Sequence, residues 1–409
     1  MTEENWAGSY TYRAAQIHQP DTLDAARHLV AEAPKIRALG SRHSFHDLPD
    51  SPGVLITLDS MPRTIRLDEE AKTVTVSAGT RYGDLATELH RAGWALSAMA
   101  SLPHIAVAGA IGTGTHGSGD RVASLAAQVL GLELIDAAGE LRTLTTDDAD
   151  FPGAVVHLGA LGVLTSVTLR VEPTYDVQQY VVNEVPWEFV EAQFEDVMSA
   201  AYSVSIMTRW NTPTVQVWLK SRDGDASLPE GKPAVKKEHP AGRDPEGCTE
   251  QLGEAGPWQD RLPHFRMGFT PSSGREIQAE YLLPRKHARA AIAALREIGS
   301  IITPLLQTCE IRTVAADELW LSGSYGRDTV AFHFTLHPEP VKVRALLGKI
   351  EEALAGLEAR PHWGKWFSTP GEEIAAMYPR MADFRDLVGR YDPQGKFSNA
   401  FLERVVLRR

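Results

Sequence analysis

Gly40-Ser41-Arg42-His43-Ser44-Phe45 joins a turn-forming start to an imidazole and two hydroxyls. It follows a short, largely apolar run, Lys35-Ile36-Arg37-Ala38-Leu39, that reads as a strand. A strand feeding a Gly-Ser turn aims several backbone N–H groups in one direction, which suits an anionic diphosphate. His43 stands inside that loop, where its ring would lie beside whatever the loop holds. The same residues also read as a polar turn with a solvated histidine.

A second backbone-rich surface runs Gly109-Ala110-Ile111-Gly112-Thr113-Gly114-Thr115-His116-Gly117-Ser118-Gly119. Small residues there let a ligand approach the main chain. Gly112, Gly114 and Gly117 spell G-x-G-x-x-G, and Asp136 follows at roughly the ~20-residue distance of a dinucleotide-binding unit. Ile105–Ile111 would be the preceding strand of such a unit. Gly119 opposes it, because a glycine in the first turns of the required helix costs about 1 kcal/mol.

The elements around these loops alternate short strands and helices. Pro20-Asp21-Thr22 supplies a helix start, with Leu23, Ala26, Leu29 and Val30 on one apolar face. Val54–Leu58 reads as a buried strand, and Ile65 to Ala78 as a hairpin around Asp68-Glu69-Glu70. Leu85, Leu89 and Ala92 share a helix face that Gly93 ends. Leu130, Leu132 and Leu134 alternate, and Leu161–Val171 reads as a further strand. Pro173 marks a domain boundary. Beyond it, Val215–Leu219 and Glu276–Leu283 read as strands, His287–Glu297 as a helix, and Val343 to Leu357 as a helical face. Residues 221–265, rich in Gly, Pro and charge, read as a long excursion over the surface. The stretch from Pro361, with Trp363, Trp366, Tyr378 and Phe384, is expected to pack back on the first domain.

At 409 residues two domains are the natural expectation. A formal charge of −12 disfavours nucleic acid and anionic membranes as partners. Two cysteines, Cys248 and Cys309, are too few for a disulfide framework. Met1-Thr2-Glu3-Glu4-Asn5 lacks the layout of a secretory leader, and no apolar run reaches membrane-spanning length, so a cytoplasmic location is expected.

Several segments together resemble one family. The loop at His43, Met99-Ala100-Ser101-Leu102-Pro103-His104, Gly112–Gly119, Cys309-Glu310-Ile311-Arg312-Thr313-Val314 and His362-Trp363-Gly364-Lys365 are similar to the alditol oxidase (xylitol/sorbitol oxidase) group of the vanillyl-alcohol-oxidase flavoproteins. The resemblance implies an α+β, two-domain FAD-binding fold with a substrate cap: 1–172 for FAD, 173–360 for substrate, and 361–409 returning to the FAD domain. It implies that Ala38, Leu39, Gly40, Ser41, Arg42, His43 and Ser44 hold the FAD diphosphate, with His43 bonded covalently to the flavin. Ser101, Gly109, Thr113, Gly114, Thr115, His116, Leu164 and His362 would also line the cofactor.

The resemblance further implies a polyol site of Ser101, Gln278, Glu310, Arg312, Thr335 and Lys365. These residue types suit a polyol, because its hydroxyls both donate and accept: Glu310 and Gln278 accept, Arg312 and Lys365 donate, and Ser101 and Thr335 do both. Glu310 and Arg312 share a face if their segment is a strand, and also read as a surface ion pair. The implied reaction oxidises a terminal primary alcohol to the aldehyde and reduces O2 to H2O2, with Arg312 and Lys365 stabilising developing alkoxide charge. A sugar-lactone oxidase or dehydrogenase of the same superfamily and a non-enzymatic nucleotide-binding module are the alternatives. Arg42 stands where a glycine is common, so a positive φ there would be strained. His46 stands where asparagine is common, and His43 and His46 find no third ligand at a metal-binding spacing, so no metal is expected.

Overall fold

The computed structural model describes residues 3–224, 226–269 and 275–408. Residues up to Pro173 build two main sheets and a small antiparallel pair, Trp94–Ala95 with Glu172–Pro173. Gln16–His18, Val54–Ile56 and Ile36–Ala38 form a parallel sheet with Val54–Ile56 in the centre. An antiparallel sheet runs in the order Ile65–Asp68, Thr73–Ser77, Val163–Arg170, Val129–Ile135, Leu141–Thr145. The expected hairpin forms with Leu67 opposite Val74. The helix Tyr82–Arg91 buries Tyr82, Leu85, Ala86 and Leu89, while Ala92 is exposed past its end. Gly93 follows at φ +84°, the left-handed turn that a glycine accepts without strain.

Val107–Gly112 is a short helix, not the strand that a dinucleotide-binding unit needs before its glycines. That reading is excluded. Gly117 is instead where the chain passes close to another backbone: a Cβ there would sit 2.7 Å from the Met99 carbonyl oxygen.

The later residues form one large antiparallel sheet. Its central order is Asp176–Pro186, Thr214–Ser221, Ser203–Thr208, Leu306–Val314, Thr329–Leu336, Ile277–Pro284. Strand alternation divides these strands between two tasks. Ile277, Ala279, Tyr281 and Leu283, with Cys309, Ile311, Phe332 and Phe334, pack against Ala291, Ile292, Leu347 and Ile350 of the helices Ala288–Glu297 and Pro340–Ala353. The intervening residues face the other way, toward the first two sheets.

The C-terminal residues tie the two parts together. Trp363, Tyr378 and Phe384 join the core that holds Leu85, Ile111 and Val167, whereas Trp366 joins the core of the large sheet. Asn399 Nδ2 donates to the carbonyls of Asp47, Leu48 and Asp50, and Lys396 Nζ to those of Val30 and Ala31.

Residues 221–265 depart in part from the sequence reading. Residues 227–247 do run over the surface, none of them buried, but beyond them Cys248, Trp258, Leu262 and His264 are buried, with Trp258 and Leu262 in the core that holds Leu85 and Val167.

Candidate active site between the two sheets

Residues 39–45 leave the parallel sheet as a loop whose own amides are unspent. Leu39 N–H donates to the Ile56 carbonyl and Phe45 N–H to the Gly364 carbonyl. Between them, the amides of Gly40, Ser41, Arg42, His43 and Ser44 donate to no acceptor among the described residues. Five neighbouring donors of this kind form an anion cradle. Arg42 does adopt the left-handed region, at φ 62°. Its carbonyl accepts from Trp6 N–H, and its guanidinium lies 2.8 Å from the Glu3 carboxylate, so the N-terminal segment holds the strained turn in place.

His43 Nδ1 lies 2.8 Å from the Ser41 carbonyl, and its ring stacks on Trp6 with centroids 4.8 Å apart. Nε2 is buried without a partner. Burial lowers the ring's pKa to about 4, so at neutral pH it is an uncharged imidazole.

One cavity of about 310 Å³ joins this loop to the large sheet. Its walls include Ala38, Leu39, Gly40, Ser41, Arg42, His43, Ser44, Ser101, Gly109, Thr113, Thr115, His116, Leu164 and His362, all expected at a cofactor. A Cβ on Gly109 would meet nothing within 4 Å, so the main chain there is open to the cavity. Gly114 is the exception. At φ +69° it shapes the turn after Val107–Gly112, packs near Val156, and does not reach the wall.

The expected substrate residues Gln278, Glu310, Arg312, Thr335 and Lys365 line the same cavity with Ser101. Antiparallel register brings them together: Gln278 pairs with Thr335, and Glu310 with His333. Lys365 arrives differently. Arg360–Pro361 pairs beside Ile277–Pro284, His362 N–H donates to the Glu280 carbonyl and Trp366 N–H to that of Gln278. Trp366 Nε1–H donates across to Phe45 O at 2.5 Å. Lys365 thus stands on a turn bonded to both the substrate strands and the His43 loop.

Sequence reasoning missed the centre of this site. Glu280, 1% exposed, pairs with Arg312 Nη2 at 2.5 Å and with Lys365 Nζ, and His116 Nε2 touches it at 3.2 Å without hydrogen-bond alignment. Burial alone would raise the Glu280 pKa, but Arg312 and Lys365 hold it well below the usual carboxylate range. The same opposition of burial against Arg312 and His264 keeps Glu310 ionised.

Burial lowers the pKa of Lys365, and Glu280 opposes that shift. His333 is also central. Burial and Lys365 hold it near pKa 4, so its Nδ1 accepts from Lys365 at 2.6 Å and its Nε2–H donates to Thr335 Oγ1 at 3.1 Å. The signal for Glu280 and His333 was the period-two pattern: each lies two residues from an expected site residue on its strand.

Residues 14–145 match the family model "FAD binding domain", and residues 269–405 match "D-arabinono-1,4-lactone oxidase". A curated alditol oxidase from Streptomyces sp. is 48% identical over 98% of this chain and 98% of its own length. The chain belongs to the alditol oxidase family. An L-gulono-1,4-lactone dehydrogenase from Mycobacterium tuberculosis is similar at only 27% identity, again over 98% of each chain. The structure resembles crystalline cholesterol oxidase from B. sterolicum with a TM-score of 0.80 at 15% identity, covering 99% of this chain and 96% of that one. The fold is therefore the α+β, two-domain FAD-binding fold with a cap, as expected. As an alditol oxidase family member the chain is an FAD-dependent oxidoreductase, and the unspent amides and the orphaned His43 nitrogen fit a diphosphate-bearing flavin cofactor. Among the described residues, no helix is long and apolar enough to cross a membrane.

Proposed function

We propose that the protein oxidises the terminal primary alcohol of alditols such as xylitol and sorbitol to the aldose, with O2 reduced to H2O2 and FAD bonded covalently through His43. The observation that carries this reading is the meeting, in one cavity, of a diphosphate-ready loop and six side chains suited to several hydroxyls. In this reading residues 1–172 are the FAD-binding domain, 173–360 the substrate-binding cap and 361–409 a segment returning to the FAD domain, with Ser101 and Lys365 reaching the polyol from outside the cap. Bound FAD would supply the acceptor for the hydride that leaves the alcohol carbon with its two electrons, and would return those two electrons to O2.

The chain's own contribution is positioning and charge. Arg312 and Lys365 stabilise the oxygen that loses its proton, and Glu280 keeps Lys365 charged and both cations aimed. Ser101, Gln278, Thr335 and Glu310 read the remaining hydroxyls, which orients the terminal carbon. The neutral His43 ring keeps a lone pair for bond formation. Two buried, unpaired cysteines support the cytoplasm as the proposed compartment.

Oxygen uptake with xylitol and with ethanol, paired with the spectrum of acid-precipitated protein, tests the reading. Each buried polar group left unpaired costs about 1–3 kcal/mol, so xylitol should outperform ethanol by orders of magnitude. The wild-type pellet should stay yellow and the His43→Ala pellet should not. Equal efficiency on both alcohols refutes the substrate, and acid-stable flavin in His43→Ala refutes the attachment site.

A further inference from the structure

The segment around His264 contacts two substrate residues on opposite sides of the cavity. The backbone N–H of His264 donates to the Ser101 carbonyl at 3.1 Å. Its ring lies in the large sheet's polar layer, with Nε2 2.9 Å from Glu310 Oε1 and Nδ1 3.0 Å from Lys220 Nζ. Lys220 comes from the strand Thr214–Ser221, is 2% exposed, and also donates to the Leu262 carbonyl. The edge of the imidazole meets Trp218, with centroids 5.0 Å apart, so the ring is packed as well as bonded.

We propose that His264 is a positioning residue for Glu310, its tautomer set by Lys220, so that the row Lys220–His264–Glu310 leaves one carboxylate oxygen for a substrate hydroxyl. The inference rests on the reading that Glu310 binds the polyol. Lys220 Nζ can only donate to an imidazole nitrogen when protonated, so Nδ1 accepts and the ring proton resides on Nε2. That proton is then directed at Glu310 Oε1. Oε2 lies 3.9 Å from Arg312 Nε, which is buried without a hydrogen-bond partner, and is the oxygen left for the ligand.

The opposite tautomer would place an imidazole lone pair against the carboxylate. Burial and the Lys220 charge both keep His264 neutral, with a pKa lowered to about 4. Burial lowers Lys220 itself to about 7, so the ammonium that sets the tautomer of the neutral ring is present between about pH 5 and 6, where the spectra and kinetics are taken. A carboxylate fixed in one rotamer and one protonation state loses less freedom on binding than a mobile one. Glutamine can replace this function in part, because its amide N–H reaches where Nε2–H does. Leucine cannot.

The test compares wild type, His264→Gln, His264→Leu and Lys220→Met as flavin-loaded proteins, with xylitol kinetics and long-range 1H–15N spectra of histidine-labelled samples. His264 should give the Nε2–H tautomer in wild type and lose that preference in Lys220→Met. His264→Leu should raise the xylitol KM about 10- to 100-fold with a smaller change in kcat, the range for one lost bond to a charged group. His264→Gln should recover to within about threefold. A purely structural role predicts equal damage in both His264 variants, and that result overturns the proposal. So does an Nδ1–H tautomer in wild type. If His264→Leu does not fold, Lys220→Met decides: an unchanged tautomer together with an unchanged KM overturns the proposal. Wild-type protein inactive on xylitol would refute the proposed substrate instead, while the tautomer and its dependence on Lys220 still decide the row.

Discussion

Replacing Glu280 by glutamine removes one buried negative charge and little else. In the native site Arg312 and Lys365 are balanced by Glu280 and Glu310, with Glu280 the closer carboxylate to both. Arginine keeps its proton in any protein environment, so the loss falls on Lys365. Burial already lowers the Lys365 pKa and Glu280 is the largest influence against it. The substitution therefore lowers that pKa further.

A charged Lys365 exists below its pKa and is lost as pH rises through it. The alkaline limb of the reductive half-reaction must move to lower pH in Glu280→Gln. A unit charge about 4 Å away at an effective dielectric of 20 is worth about 4 kcal/mol, part of which the glutamine carbonyl restores. Flavin reduction by xylitol should slow by at least about 10²-fold near pH 8, and by less near pH 6. Removing one partner of a buried ion pair also costs about 3–5 kcal/mol of stability, or a Tm lower by about 5 °C for a chain of this length. Anaerobic stopped-flow across pH with a parallel melting curve measures both. A reduction rate within about threefold of wild type at every pH would refute the role given to Glu280.

Two further outcomes follow from the same site. Lys365→Met preserves most of the stem's volume and removes the charge, so it should slow flavin reduction by about 10²-fold while acid-stable flavin is retained; an unchanged rate in stopped-flow removes Lys365 from the chemistry. Because His43 stays neutral down to about pH 4, covalent attachment of FAD to flavin-free protein should proceed at a constant rate from about pH 5.5 to 8, followed by acid-stable fluorescence, and a loss of rate centred on an ordinary histidine pKa near 6.5 would refute that.

Much of the site was legible because its residues sit in local patterns. The loop at His43 announces itself by a glycine turn after a strand, and Glu310 and Arg312 by their two-residue spacing. Glu280 and His333 obeyed the same spacing, on strands flanked by apolar residues, and were overlooked because no motif drew attention to them. His264 was illegible for a different reason. It lies in a Gly- and Pro-rich stretch without periodicity, and its partners Ser101, Lys220 and Glu310 are set by tertiary packing alone. The surface reading holds for 227–247 and fails from Cys248 on, because composition reports local flexibility, not what a folded segment covers. Gly114 stands outside the cavity wall, and a glycine needed for φ > 0 looks, in sequence, like one needed for close approach.

The alternation along Ile277–Pro284, Leu306–Val314 and Thr329–Leu336 has a consequence for variation. Residues 279, 281, 309, 311, 332 and 334 carry the packing against the helices, while 278, 280, 310, 312, 333 and 335 line the cavity. Side chains on the second set can diverge, by natural drift or by a designed library, without touching the hydrophobic contacts that hold the sheet. Insertions are the opposite case. One added residue inside any of these strands would exchange the two sets at a stroke, burying charge against the helices and turning phenylalanine toward the cavity. Such a scaffold should therefore diversify by point substitution and keep its strand lengths constant.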